Sequence, residues 1–328
     1  MRQPRPGQPR GPGPERQIRF CTTPAGVRVA YATVGRGPAL VVPAAWISHL
    51  ELTWQDPTVR AFYAPLAARR TVVHYDKPGC GLSDPWPGTQ TLDTDLEVLE
   101  AVADHLGLDR VDLLGSSMGA PVAVAFAARH PARVGRLVLY GGFANGQEVA
   151  SAEVRAAMIE LVRAHWGLGS DVLADVFLPD GSAEVRAHFV RLQRGAASAE
   201  VACELLEQCY GIAVDGLLDL VAAPTLVLHR RDDRAIPYRL GRDLAARIPG
   251  ARLVSLAGRS HFAYAGDAAS VVREVLEFLG EPEGASPSAP SGRRPGTLTA
   301  RQVQVAATSR AQIAAWWARG AGAPEVPR

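Results

Sequence analysis

Cysteine is scarce in this chain: 328 residues hold four, Cys21, Cys80, Cys203 and Cys209. No interval between them matches a zinc or dithiol spacing, which excludes a disulfide framework or a cysteine-bound metal, and each thiol reads as a small buried hydrophobe. A charge excess is also lacking. Lys and Arg number 35 against 33 Asp and Glu, a formal net charge of +2, so nucleic acid has no electrostatic claim as the main partner. No apolar run is long and uncharged enough to span a bilayer. The first residues are Pro, Gly, Gln and Arg, without the apolar stretch of a secretory signal. A cytoplasmic protein, free of the membrane, is expected. Aromatic residues are few, at 6%, but the hydrophobic share is 47%, ample for a core in a chain of this length.

Composition divides the chain. Residues 1–15 are Pro, Gly, Arg and Gln with no apolar period, and Arg2, Arg5 and Arg10 precede any acid. That pattern predicts a disordered, solubilising tail. A linker is expected over 281–296, where Pro, Ser and Gly alternate. The 265 residues of 16–280 between them have the size of one α/β domain with an insertion.

Inside that block, short apolar runs alternate with helical periods. The runs are Val27–Val34, Ala39–Val42, Thr71–Tyr75, Val111–Leu114, Arg136–Tyr140, Thr225–His229 and Arg252–Leu256. Most are apolar at nearly every position, as strands covered on both faces of a parallel sheet must be. Leu92, Leu96, Leu99, Ala103 and Leu106 share a helix face, with Gly107 placed as the cap. Ala120–Arg129 is a second helix, with Pro131 at its exit. The alternation predicts a doubly wound α/β fold. From about 145 to 220 the rhythm changes to helices alone, at Ala152–Trp166, Ser170–Phe177, Ala183–Arg191 and Ala199–Tyr210. An all-helical insertion between two strands is expected to cover the sheet's ligand-binding edge as a lid.

The chemistry centres on Gly115-Ser116-Ser117-Met118-Gly119, between a predicted strand and a predicted helix. Such a turn holds its serine above the sheet, and the flanking glycines remove Cβ clashes. Only Ser117 has a glycine two places away on both sides. G-x-S-x-G alone is a weak signal in a glycine-rich chain; the strand and helix around it make it strong. A serine hydroxyl needs a base, and the base an orienting acid. In the fold that carries this elbow the order is nucleophile, acid, histidine. Of eight histidines, only His261 lies beyond the last predicted strand. Two carboxylates, Asp232 and Asp233, follow Thr225–His229. Asp233, four residues before Pro237, is the favoured acid, and Asp232 reads as a loop carboxylate paired with a neighbouring arginine. The backbone N–H of Met118 should serve the oxyanion, with a second donor at Ala45 or Trp46. No His-Gly pair stands in that second loop, a departure from the commonest pattern.

Residues 16–280 resemble bacterial α/β-hydrolases often fused to adenylate cyclase or LuxR-type helix-turn-helix domains. The matching segments are Ile18–Thr23, Trp46–Glu51, Tyr75–Asp84, Leu139–Gly142, Val227–Pro237 and the surroundings of His261. The resemblance implies an α/β-hydrolase fold and a cytoplasmic serine hydrolase with no cofactor and no metal. Thr297–Arg301 resembles the opening of a LuxR-type domain, and Thr308–Trp316 its last helix. Such a module spans about 60 residues, yet only 26 run from Thr297 to Gly322. Residues 297–328 therefore read as a remnant, one short helix, without specific DNA binding. Trp316 and Trp317 are read as packing residues.

Several side chains are candidates for a pocket between sheet and lid: His49, Trp54, Phe143, His165, Trp166, Phe189, Tyr210 and Phe262. Each has ordinary packing as its plainer explanation. Asp76 is expected to pin the loop carrying Gly79 and Gly81. The function expected is hydrolysis of a small, largely apolar ester, thioester or lactone through an acyl-serine. Acyl transfer or lyase chemistry on the same scaffold is the alternative, as is a ligand-sensing regulator without catalysis.

Overall fold

A computed structural model describes residues 16–280; the tail expected at 1–15, the linker expected at 281–296 and the helix-turn-helix remnant expected at 297–328 lie outside the described residues. Eight strands form one sheet: β1 (Gln17–Thr22), β2 (Arg28–Gly35), β3 (Ala39–Val42), β4 (Thr71–Tyr75), β5 (Val111–Ser116), β6 (Val134–Tyr140), β7 (Thr225–Arg230) and β8 (Arg252–Leu256). Their spatial order is β1-β2-β4-β3-β5-β6-β7-β8. β1 and β2 pair antiparallel, as do β2 and β4, and all pairings from β4 to β8 are parallel.

The apolar runs are apolar because both faces of the sheet are covered. Val41, Val73, Leu113, Leu139 and Val227 enter one core with α3 (Leu92–His105), α4 (Gly119–Arg129) and α9 (Tyr238–Arg247). The alternate residues Leu40, Val72, Leu114, Val138 and Leu226 enter the opposite core with α2 (Pro57–Ala67) and α10 (Ala268–Gly280). β1 has no such run: its burial alternates weakly and most of its residues are exposed. It is an edge strand, which is why the apolar pattern passes over it. The short α1 (Leu50–Gln55) precedes α2 and is capped by His49.

Four helices lie between β6 and β7: α5 (Ala152–Ala164), α6 (Trp166–Phe177), α7 (Ala183–Ala196) and α8 (Ala199–Gly211). Three of them start with the same tetrapeptide, Ser-Ala-Glu-Val, at 151, 182 and 198. In each, the serine side chain accepts from the valine amide three residues on, and a glutamate sits in the first turn, where the helix dipole favours it. The expected single helix Ala152–Trp166 instead breaks at His165, whose Nδ1 accepts from the Leu168 amide at 3.0 Å and starts α6.

The chain's only lysine, Lys77, is buried and pairs with buried Asp95 on α3. Gln208 on α8 donates to the other oxygen of Asp95 at 2.9 Å, tying the inserted helices to α3. None of the described helices is long and apolar enough to cross a membrane.

Candidate active site

β5 runs out of the sheet into Ser117, which has φ +54° and is alone among the described non-glycine residues at positive φ. A side chain in that region is strained, and strain persists only where the surroundings impose it. Here the Ser117 amide donates to the Tyr140 carbonyl at 3.0 Å, and the Ala120 amide donates to the Ser117 carbonyl at 2.9 Å. The flanking glycines answer to contact. A Cβ on Gly115 would lie 2.7 Å from the Gly119 oxygen and 2.8 Å from the Ala120 Cα; on Gly119 it would lie 2.7 Å from the Pro43 oxygen.

His261 follows β8, and its amide donates to the Phe177 carbonyl of α6 at 2.8 Å. Its ring lies 5.4 Å from that of Phe177, so the insertion fixes the imidazole from above. Nδ1 is 2.8 Å from Asp233 Oδ2, and both side chains are 1% exposed. Nε2 is buried without a hydrogen-bond partner among the described residues. Ser117 and His261 line one cavity.

Asp233 Oδ1 accepts from the amides of Ala235 and Ile236 at 2.9 and 3.1 Å. Burial acts to raise this carboxyl, but the charge and hydrogen bond of His261, with the Ile236 amide, outweigh it and hold the group below its ordinary value. Asp232, one residue earlier, is exposed. Behind Asp233 lies His229, a residue that sequence pattern did not mark because it ends an apolar strand. Its Nε2 is 2.9 Å from the Ile236 carbonyl and 3.7 Å from Asp233 Oδ2. Gly241 makes room for it: a Cβ there would meet Nδ1 at 2.2 Å.

The cavity has a volume of about 160 Å³. Ala45, Trp46 and His49 line it from the loop after β3, Trp54 and Phe189 from helices, and Phe262 from beside His261. Other expected pocket residues are elsewhere. Phe143 is fully buried in the core. Trp166 packs edge-on against Trp46 and donates Nε1 to the Ala197 carbonyl at 3.1 Å, so it supports the wall without forming it. His165 caps α6, and Tyr210 packs on the main core. Met118 is wholly buried beneath the turn. Asp76 Oδ2 accepts from the amides of Leu50 and Leu82 at 3.2 and 3.0 Å. Gly81, with φ +56°, leaves space for that carboxylate, which a Cβ would approach to 2.3 Å. Arg16, Tyr63, His74 and Phe177 also line the cavity; they lie far apart in sequence and share no motif. Among the described residues no group of His, Cys, Asp and Glu could hold a metal ion.

A serine on a strained strand-to-helix turn, lining one cavity with the histidine of a buried histidine–carboxylate pair at the carboxyl edge of a mostly parallel sheet, defines a class of α/β enzymes. The chain belongs to the α/β-hydrolase family: a family model described as alpha/beta hydrolase fold matches residues 38–184, and one described as TAP-like protein matches 192–288. It is 33% identical to a 2-hydroxy-6-oxononadienedioate/2-hydroxy-6-oxononatrienedioate hydrolase of Cupriavidus pinatubonensis, over 66% of this chain and 78% of that protein. It is 30% identical to a 2-hydroxymuconate semialdehyde hydrolase of a Pseudomonas species, over 77% of this chain and 87% of that protein. Among solved structures, the enol-lactonase of Burkholderia xenovorans superposes with a TM-score of 0.67 at 25% identity, covering 80% of this chain and all of that one. Relatives named as hydrolases in this family make the chain an enzyme of the hydrolase type.

Proposed function

We propose that the chain is a serine hydrolase that opens a small, largely apolar ester, thioester or lactone through an acyl-Ser117 intermediate. The observation that carries this reading is the 2.8 Å buried contact of His261 Nδ1 with Asp233, in one cavity with the strained Ser117. Ser117 Oγ attacks the substrate carbonyl while His261 Nε2 takes its proton, and Asp233 holds the Nδ1–H tautomer and supports the imidazolium. The oxyanion is held by the amide of Met118 and by that of Ala45 or Trp46. Collapse of the intermediate expels the alcohol or thiol, which receives the proton from His261. A water then gives its proton to His261 and its oxygen to the acyl carbon, releasing the acid and restoring Ser117. No step calls for a cofactor or a second protein, and a cytoplasmic setting suits it.

The names of the relatives, hydrolases and an enol-lactonase, favour water as the acyl acceptor over acyl transfer or lyase chemistry. The finer likeness to hydrolases fused to LuxR-type domains rests on sequence segments alone, and the regulator reading goes with it. The test is labelling with a fluorophosphonate probe and peptide mapping, then turnover of chromogenic esters by Ser117→Ala. The label should map to Ser117. The variant should lose on the order of 10⁴–10⁶-fold in kcat while remaining folded, and Ser116→Ala should lose far less. Near wild-type turnover by Ser117→Ala would refute the mechanism.

A further inference from the structure

The cavity of Ser117 and His261 is not apolar throughout. Its wall includes Arg16, from just before β1, and His74, at the end of β4. His74 pairs in register with Val42 of β3, so it stands at the same carboxyl edge of the sheet as the nucleophile but two strands from β5. Both His74 ring nitrogens are buried and without a hydrogen-bond partner among the described residues. Aromatic rings enclose the imidazole, with Tyr63 edge-on at 4.4 Å and Trp54 at 6.5 Å. Burial and the charge of Arg16 push it down to about 3, so it is a neutral ring with one donor and one acceptor.

Arg16 is half-buried. Nη1 donates to the Leu50 carbonyl at 3.0 Å, and the guanidinium lies over the Trp54 ring at 4.7 Å. Its Nε is buried without a hydrogen-bond partner among the described residues. Burial holds the guanidinium below its ordinary value, against the favouring charges of Asp76 and Glu51, and no carboxylate among the described residues forms an ion pair with it. Asp76 instead directs Oδ2 to the Leu50 and Leu82 amides. A guanidinium keeps its charge at any working pH, and a buried charge is ordinarily paired. Here the missing acceptor has a cavity to arrive through.

We infer that Arg16 and His74 form a polar subsite, remote from Ser117 in the same cavity, which takes a carboxylate carried at the far end of the substrate's acyl group. The guanidinium Nε edge and the His74 N–H supply donors to its oxygens, and Trp54 and Tyr63 keep water from competing for them. The substrate is then a monoester, thioester or lactone of a dicarboxylic acid: apolar in the middle, anionic at the end away from the scissile bond. This assignment rests on the serine-hydrolase reading for its kinetic form, but it can be judged separately by binding.

The experiment uses the full chain and two ester series of graded chain length. One carries p-nitrophenyl monoesters of straight-chain dicarboxylic acids, the other the same compounds with the free carboxylate capped as a methyl ester. The capped compound keeps a carbonyl acceptor and loses the charge. In the wild type the ratio of kcat/KM, charged over capped, should peak at one chain length, on the order of 10- to 100-fold, the worth of hydrogen bonds to a charged group. That ratio is internal to each enzyme, so a loss of folded protein leaves it unmoved. It should fall to near one in Arg16→Gln, fall in part in His74→Phe, and be retained better by Arg16→Lys. A wild-type ratio at or below one at every chain length overturns the subsite, as does a ratio that survives Arg16→Gln. Absence of turnover with every ester, or full activity in Ser117→Ala, would count against the hydrolase reading instead. In that case calorimetric titration of free dicarboxylates decides: binding to wild type that is lost in Arg16→Gln upholds the subsite, and equal or absent binding removes it.

Discussion

Replacing Asp233 by Asn separates orientation from folding. Asn keeps an oxygen that still accepts from the Ala235 and Ile236 amides, now at 2.9 and 3.1 Å, so the loop loses little. The other terminus becomes an NH₂ group facing His261 Nδ1, where the carboxylate now stands at 2.8 Å. Two donors cannot share that contact, so the ring turns to the tautomer with Nδ1 bare and the proton on Nε2. That nitrogen is then unable to take the Ser117 proton, and the charge that supports the imidazolium is gone as well. A triad that loses its acid in this way slows by about 10⁴-fold in kcat, or about 5 kcal/mol of transition-state stabilisation. Asp232→Asn, on an exposed side chain, should stay within a few-fold of wild type. Steady-state kinetics on one chromogenic ester, with circular dichroism to verify folding, would make the comparison. Asp233→Asn within about tenfold of wild type, or Asp232→Asn equally slow, would refute the reasoning.

The same carboxylate predicts a pH dependence of stability. Asp233 titrates below its ordinary value in the folded protein, so its contribution is present above the ordinary carboxylate range and is lost as pH falls through the folded value. The stability gap between wild type and Asp233→Asn in urea should therefore narrow below about pH 4. Gly119→Ala puts a Cβ 2.7 Å from the Pro43 oxygen and should cost about 1–3 kcal/mol in thermal unfolding; because that loop continues to Ala45 and Trp46, kcat should fall as well. Lys77→Met strands the buried Asp95 carboxylate and should destabilise by about 3–5 kcal/mol, whereas Lys77→Met with Asp95→Leu should recover much of the loss. Denaturant midpoints of the two variants would show whether the recovery occurs.

Much of this protein is determined by its sequence alone, wherever a feature depends on neighbours along the chain. β3, β4 and β8 begin and end where their runs do; β3 and β4 lie inside the sheet and are apolar at most positions, whereas β8 is an edge strand with only its last residue buried. The elbow at Ser117 is marked locally too, by glycines two residues to either side, although what Gly119 clears is the distant Pro43 oxygen. The Ser-Ala-Glu-Val starts of three inserted helices are caps written into four consecutive residues. β1 escaped this reading because an exposed edge strand needs no apolar run, and the break at His165 because a histidine is an uncommon cap.

Tertiary structure decided what distance along the chain conceals. Asp233 and His261 stand 28 residues apart, and only the pairing of β7 with β8 puts the loops after them at the same edge. Which of two adjacent aspartates turns inward followed from the amides of Ala235 and Ile236, a matter of loop geometry. Phe143 and Trp166 were as plausible on composition as His49 and Phe262, yet the first is buried core and the second a support behind Trp46. Arg16 and His74 belong to no motif, and nothing in their spacing of 58 residues marks them as partners. They meet because β2 lies between β1 and β4 in one sheet, which brings a side chain from the start of the chain to the rim of the cavity that holds Ser117.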